Sequence, residues 1–420
     1  MLPAMNINDE LLIESFAEQP ATLRIAVVTE TFPPEVNGVA MTLGRIVDEL
    51  VRRGHAIQLI RPRQKLEHDL PKLNGMEEIL SPGMPVPSYG ELRFGLPSKR
   101  RLVKLWTARR PDVVHVATEG PLGWSAVAAA RKLQLPLTSS FHTNFQSYTQ
   151  HYGLSLLKAP IENYLRKLHN RTQTTMVPTK ALMSDLQRRG YQNVKLLSRG
   201  VAADLFSPSR RSQSLRDQWG ANADELVVML VGRLAKEKNV GLAVSAFRAI
   251  QQIKPTTKLV FVGDGPLRQT LQSSCPEAVF AGVQKGDALA CHYASGDIFL
   301  FPSLTETYGN VVPEALASGL AVVSYACAAA QELVVSGLNG MLVSGDREQD
   351  FIDTAVRLAS SATTIARLRQ AAAPSVAHLR WESIFDSFEG YLRRIVESGS
   401  AGIHMSELGG PAPVITRASA

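Results

Sequence analysis

The feature that most narrows the fold of this chain is an alternation of short β-branched runs with helix-period segments, repeated in two series. Leu23-Arg24-Ile25-Ala26-Val27-Val28 opens the first series and gives way to a loop containing Asn37-Gly38-Val39. Leu43, Ile46, Val47, Leu50 and Val51 then recur at helical spacing, Gly54 closes the helix, and Ala56–Ile60 reads as the next strand. That is a βαβ unit, the element from which parallel sheets are built. The same alternation returns at Val113–Val116, Gly123–Lys132 and Leu137–Phe141, and again from Thr175–Val177 through Leu186 to Val194–Leu197.

A polar stretch rich in Arg and Ser, Ser207–Asp217, reads as an interdomain linker, and the second series follows it. Its strands are expected at Leu226–Val231, Lys258–Val262, Ile298–Pro302 and Ala321–Tyr325, with helices at Val240–Ile253 and Val312–Ser318. A chain of 420 residues exceeds one ordinary core. The expected organisation is therefore a leader (1–22), a first α/β domain (23–206) and a second (207–377). A final helix (378–397) carries Trp381, Ile384, Phe385, Phe388, Leu392 and Ile395 on one face, and a disordered tail rich in Gly, Ala, Ser and Pro (398–420) ends the chain. Each series suits a doubly wound sheet whose ligand site lies at the carboxyl ends of the strands.

Composition removes other classes. With 45% hydrophobic and 20% charged residues the chain has the profile of a globular protein. No apolar run approaches the ~20 residues that span a bilayer. The acidic N-terminus (Asp9, Glu10, Glu14, Glu18) lacks the basic start of a secretory signal. Cys275, Cys291 and Cys327 are odd in number and far apart, which offers neither a disulfide set nor a Cys-x-x-Cys metal site, and a cytoplasmic location is expected. The net charge of +7 is uneven: residues 91–210 hold 19 Lys+Arg against 6 Asp+Glu, while 1–90 hold 8 against 12. A basic middle third implies an anionic partner or a solvated basic face.

The sharpest local signal is Glu306-Thr307-Tyr308-Gly309-Asn310-Val311-Val312-Pro313-Glu314. A strand delivers it to the sheet rim, Gly309 lets a ligand approach the backbone, and the amides from Tyr308 to Val312 open a helix suited to a phosphate. Glu306 and Glu314 can accept hydroxyls of a sugar or ribose, although acids also simply decorate helix starts. Arg233 and Lys238, on the loop leaving another strand, could neutralise a diphosphate, and no Asp-x-Asp pair is present to hold one through a metal. In the first series, His142 lies just beyond a strand in Phe141-His142-Thr143-Asn144-Phe145 and is a candidate for the reaction centre, while Gly38 could bring amides to a phosphate. The stretch Ser98–Arg110, with Lys99, Arg100, Arg101, Lys104 and Trp106, reads either as a membrane-interface helix or as a surface helix with its apolar side on the sheet.

From Leu23 to Ile395 the chain resembles glycosyltransferase family 4, through Asn-Gly-Val near the start, Phe-His-Thr-Asn-Phe mid-way, Arg233/Lys238 and the two-glutamate motif. Bacterial glycolipid mannosyltransferases and sulfoquinovosyl- or glucosyl-diacylglycerol synthases have the same features. The resemblance implies the GT-B fold, an α/β architecture of two Rossmann-like domains facing across a cleft, and hexosyl transfer with retention from a GDP- or UDP-linked donor. It further implies that Arg233 and Lys238 hold the diphosphate, Glu314 the ribose and Glu306 the donor sugar, helped by amides around Tyr308, Gly309, Asn310 and Val311. Gly38 would meet the phosphate from the opposite domain, His142 would line the reaction centre, and the final helix would cross back to the first domain. No metal or other cofactor is expected.

The sequence departs from relatives at Ala328-Ala329 before Glu332 and at Gly200-Val201-Ala202. A lipid acceptor at an anionic membrane surface, peripheral on the inner face of the plasma membrane, competes with a soluble sugar or metabolite acceptor. A nucleic-acid-binding role has only the net charge behind it, since no helix-turn-helix or aromatic-basic strand motif is present.

Overall fold

The computed structural model describes residues 21–35, 37–64, 75–86, 89–142 and 158–407. The first sheet contains β1 (Arg24–Val28), β2 (Ala56–Pro62) and β3 (Met76–Ser81), then, beyond a hairpin of β4 (Gly83–Val86) and β5 (Tyr89–Gly95), β6 (Val113–Val116), β7 (Leu137–Ser140), β8 (Thr174–Val177) and β9 (Val194–Leu196). Its order is β3-β2-β1-β6-β7-β8-β9, all parallel, with Arg24 opposite Ala56 in the first pairing. The second sheet contains β10 (Val227–Val231), β11 (Lys258–Val262), β12 (Val279–Gly282), β13 (Ile298–Phe301), β14 (Ala321–Tyr325) and β15 (Gly340–Val343), in the order β12-β11-β10-β13-β14-β15. Both are doubly wound, and each reverses direction once: between β1 and β6, and between β10 and β13. A crevice opens at such a point because the crossovers on either side leave toward opposite faces of the sheet.

Helices cover both faces of each sheet, which is why the strands are apolar throughout. Val228 and Leu230 pack with Phe247, Phe261 and Phe351 on one face of the second sheet, while Val227, Met229 and Val231 pack with Tyr293, Phe299 and Leu316 on the other. In the first domain Ile25 and Val27 meet Leu43, Ile46 and Leu50, and Ala26 and Val28 meet Trp106, Leu122 and Ala126.

Two expected segments behave differently from their composition. Ser207–Asp217 is no free linker: it forms a 3-10 turn (Pro208–Arg210) and most of a short helix (Gln213–Gln218) docked on the second domain. There the buried Asp297 takes Arg211 Nη2 at 2.9 Å, Arg216 Nη1 at 3.1 Å and Arg369 Nη1 at 2.8 Å. An Arg-rich composition resembles a solvated linker until a buried carboxylate elsewhere in the chain claims the charges.

The last helix spans Trp381–Glu407, so it outruns the expected end at 397 and takes in the first part of the expected disordered tail. Gly399 and Gly402 weaken a helix by only about 1 kcal/mol each. Residues 408–420, like most of the leader, lie outside the described residues. The helix crosses to the first domain: Phe388 and Leu392 join the Ile25/Val27 core, Tyr391 donates to the Leu196 carbonyl at 3.0 Å, and Arg53 Nη1 pairs with Glu389 at 2.9 Å.

Candidate active site

The two loops at the β10/β13 reversal carry most of the candidate residues. After β10 the chain turns through Gly232-Arg233-Leu234 into the 3-10 turn Lys236–Lys238, and after β13 it runs through Ser303–Asn310 into the helix Val311–Ala317. The two loops are sewn together. Ser303 Oγ donates to the Glu237 carbonyl at 3.3 Å and to Glu306 Oε1 at 3.0 Å, and Lys238 Nζ forms an ion pair with that same carboxylate. Lys238 and Glu306, expected as separate contacts for diphosphate and sugar, therefore neutralise each other here. Arg233 is exposed at the rim of the same crevice.

Gly309 sits at φ +86°, and a Cβ there would come within 3.1 Å of the Phe301 ring, so only glycine fits. Tyr308 is buried, its carbonyl accepts from the Ala329 amide at 2.8 Å and its hydroxyl reaches the Arg199 carbonyl at 3.4 Å. Among the described residues the amides of Gly309, Asn310 and Val311 meet no protein acceptor. The helix they open is only seven residues long, so its dipole adds less than the amides themselves.

Glu314, in the first turn of that helix, accepts from the Tyr293 hydroxyl at 3.0 Å. Burial pushes its carboxyl up to about 7, against the Tyr293 hydrogen bond and the charge of Arg45, which act to lower it. Arg45 belongs to the other domain, on the helix Gly38–Arg52, and its guanidinium lies 5.3 Å from the centre of the Trp381 ring. Gly38 opens that helix, with the Asn37 side chain capping the Val39 and Ala40 amides. Its carbonyl accepts from Asn310 Nδ2 at 3.4 Å, a direct contact between Gly38 and the Glu306–Glu314 loop that was not expected.

His142 lies beyond β7 as expected, and Arg199, which sequence reasoning passed over, donates from Nη2 to its Nδ1 at 2.7 Å. Burial, then the charge of Arg199 and the neighbouring His115 and His169, hold the imidazole well below its usual range. Residues 143–145 of the His142 motif lie outside the described residues. Glu30, just past β1, was also missed. It takes the amides of Gly95 and of Leu122 (3.1 Å) and, chiefly through burial, is pushed up to about 7. Nothing in the local pattern Thr29-Glu30-Thr31 marks these partners, which lie 65 and 92 residues away.

Known proteins resemble this chain in sequence and in fold. Residues 36–205 match the model for Glycosyltransferase Family 4, and residues 225–361 match that for Glycosyl transferases group 1. A GDP-mannose-dependent alpha-mannosyltransferase of Mycobacterium tuberculosis is 33% identical over 385 residues, covering 89% of this chain and 97% of the relative. The chain belongs to glycosyltransferase family 4. A GDP-mannose-dependent alpha-mannosyltransferase of Corynebacterium glutamicum is 31% identical over 87% of this chain and 85% of its own length. Among solved structures, sucrose-phosphate synthase of Thermosynechococcus elongatus superposes with a TM-score of 0.73 at 18% identity, over 90% of this chain and all of that one. HepE of Anabaena, in complex with UDP and glucose, superposes at 0.70 with 20% identity, over 88% of this chain and 99% of that one. The fold of this family 4 glycosyltransferase is thus GT-B, as expected.

The basic stretch of this glycosyltransferase divides in two. On the helix Lys99–Ala108, Lys99, Arg100, Arg101 and Lys104 are exposed. Trp106 is not a membrane contact: it is fully buried with Leu102 against Leu122 and Ala126, because the apolar side of the helix covers the sheet. Among the described residues no helix is long and apolar enough to cross a membrane, and no group of three or more His, Cys, Asp or Glu could hold a metal ion.

Proposed function

We propose that this glycosyltransferase moves a hexose from a GDP- or UDP-linked donor to a hydroxyl of a lipid acceptor, with retention and without a metal ion. The observation that carries the reading is the crevice at the β10/β13 reversal, where Lys238 meets Glu306 on loops that also carry Arg233 and the amides of Gly309–Val311, with Glu314 in the helix that follows. Cations and unpaired amides stabilise a departing diphosphate, and carboxylates take sugar hydroxyls. Arg233 and Lys238 bind the diphosphate, Glu314 the ribose and Glu306 the donor sugar, with the leaving phosphate oxygen taking the acceptor's proton on the same face. His142 and Gly38 complete the site from the first domain.

The lipid acceptor is supported by the exposed cations of Lys99–Ala108 and by relatives that include an Acholeplasma laidlawii alpha-monoglucosyldiacylglycerol synthase, 29% identical over 78% of this chain and 86% of its own length. Anionic lipid headgroups attract such a face with about 1 kcal/mol per Lys or Arg near the surface, which would place the protein peripherally on the inner face of the plasma membrane.

A thermal-shift screen of GDP-mannose, UDP-glucose and related donors tests the donor class, because a ligand at 100 times its Kd stabilises by about 2.7 kcal/mol. GDP-mannose is the first donor to try. Co-sedimentation with phosphatidylserine vesicles at low salt tests the surface. Absence of binding there would replace the lipid acceptor with a soluble one.

A further inference from the structure

We infer that Arg199 is a positioning residue that fixes the tautomer of His142, making it a one-sided hydrogen-bond donor facing the reaction centre. Arginine can only donate. With Arg199 Nη2 at 2.7 Å, Nδ1 of His142 must therefore be the unprotonated, accepting nitrogen. The remaining proton sits on Nε2, which is buried and meets no acceptor among the described residues. A buried N–H must be satisfied by some partner, and a ligand oxygen is one that can accept from it. A sugar hydroxyl or a phosphate oxygen has the right chemistry. The same geometry excludes His142 as a general base and as a cation: its basic nitrogen is occupied and a second proton would face a guanidinium.

Arg199 is built for this task. It is 6% exposed, it forms no ion pair among the described residues, and burial lowers it to about 10. An arginine buried for stability is normally paired with a carboxylate, as Arg216 is with Asp297. Other groups around the pair are His115 and His169 beside His142, and Tyr308, whose hydroxyl donates to the Arg199 carbonyl. His115 and His169 are themselves bonded to Thr138 and Ser139, which leaves Arg199 as the group that dictates the His142 tautomer. Through its carbonyl and side chain Arg199 also joins the donor loop at Tyr308 to the reaction centre at His142. The role in turnover rests on the proposed transfer reaction; the tautomer does not.

The test is nitrogen NMR on full-length protein labelled at histidine, with a His142→Gln variant to identify the His142 signals. Wild type should show Nδ1 unprotonated and Nε2 protonated, without titration from pH 5.5 to 8.5. In Arg199→Met both tautomers should be populated and the imidazole should become easier to protonate, while Arg199→Lys, which can still donate, should restore the single pattern. Turnover should fall on the order of 10²-fold in Arg199→Met with little change in the donor KM and recover in part in Arg199→Lys. A protonated Nδ1 in wild type, or an unchanged pattern in Arg199→Met, overturns the assignment. The wild-type spectrum decides alone if the methionine variant does not fold. If the spectra follow expectation but no donor supports transfer, the positioning stands and the proposed reaction fails.

Discussion

Glu314→Gln should stabilise the free protein and weaken its donor. The carboxyl has been lifted from its ordinary 4.5 to about 7, with burial as the main cause. A group whose folded pKa lies above its unfolded value binds more protons when folded, so stability declines as pH rises from 4.5 to 7 and stays lower beyond. At about 1.36 kcal/mol per pH unit, wild type forgoes about 3 kcal/mol at pH 8 that a neutral isostere keeps. Below pH 4.5 both side chains are uncharged and the difference vanishes; at pH 5 it is under about 1 kcal/mol. For a domain near 200 residues, about 3 kcal/mol corresponds to roughly 6–12 °C in Tm. Tyr293 can donate to the amide oxygen as it does to Oε2, so that contact survives.

Function should move the other way. A carboxylate accepting ribose hydroxyls contributes about 1.5–3 kcal/mol per charged hydrogen bond, so calorimetry with the best donor should read a Kd at least about tenfold weaker in the variant at pH 8. In wild type, donor affinity should rise from pH 6 to 8 as Glu314 ionises, and this rise should be absent in Glu314→Gln. Scanning calorimetry at pH 5 and 8, with and without donor, separates the two effects. A variant no more stable than wild type at pH 8 would refute the strained-carboxylate argument, and an unchanged Kd would refute the ribose contact.

Arg233→Ala should lower kcat by about 10²–10³-fold, about 3–4 kcal/mol of transition-state stabilisation, read in steady-state transfer; unimpaired turnover would remove Arg233 from the reaction. Asp297→Ala leaves the wholly buried Arg216 without its counter-ion and should destabilise by about 3–5 kcal/mol, visible as a Tm roughly 6–20 °C lower. Reversing charge at Lys99, Arg100, Arg101 and Lys104 should abolish sedimentation with anionic vesicles and leave Tm unchanged, because these side chains are exposed. In a variant that keeps Trp106 as its one tryptophan, with Trp124, Trp219 and Trp381 replaced by Phe, emission should not shift on vesicle binding, since that ring is sealed inside the first domain.

The central strands were legible because both faces of a parallel sheet are buried, which forces near-continuous β-branched runs. Val113–Val116, Lys258–Val262 and Ala321–Tyr325 have the expected bounds. The strands of the two main sheets that escaped, Met76–Ser81, Val279–Gly282 and Gly340–Val343, all lie at sheet edges, where one side needs no partner. Glu77 and Glu78 in the first of these are exposed and make the run look like a loop. The site divides along the same physical line. Candidate residues marked by backbone conformation or by local company, such as Gly309 and the Glu306–Glu314 loop, announce themselves within a few positions. Residues that act through a distant partner do not: Arg199 meets His142 across 57 positions, and Asn310 meets Gly38 across 272.

Those distant partners give the donor loop a second use. Tyr308 holds the Arg199 carbonyl, Asn310 holds the Gly38 carbonyl, and Glu314 feels the charge of Arg45. Three residues expected to touch the donor therefore also interact with the first domain, beside the contacts made by Glu332 and the final helix. None of these links is strong: two are hydrogen bonds at 3.4 Å, and the third acts through charge alone. Weak links can exchange at little cost for contacts to a bound nucleotide sugar, whereas a rigid clasp of buried ion pairs, like the one at Asp297, could not. A donor seated on the amides of Gly309–Val311 would alter these three links and leave the final helix in place across the two domains. On the proposed function, nucleotide binding would thereby act, through one short stretch of chain, on the side of the cleft that carries His142.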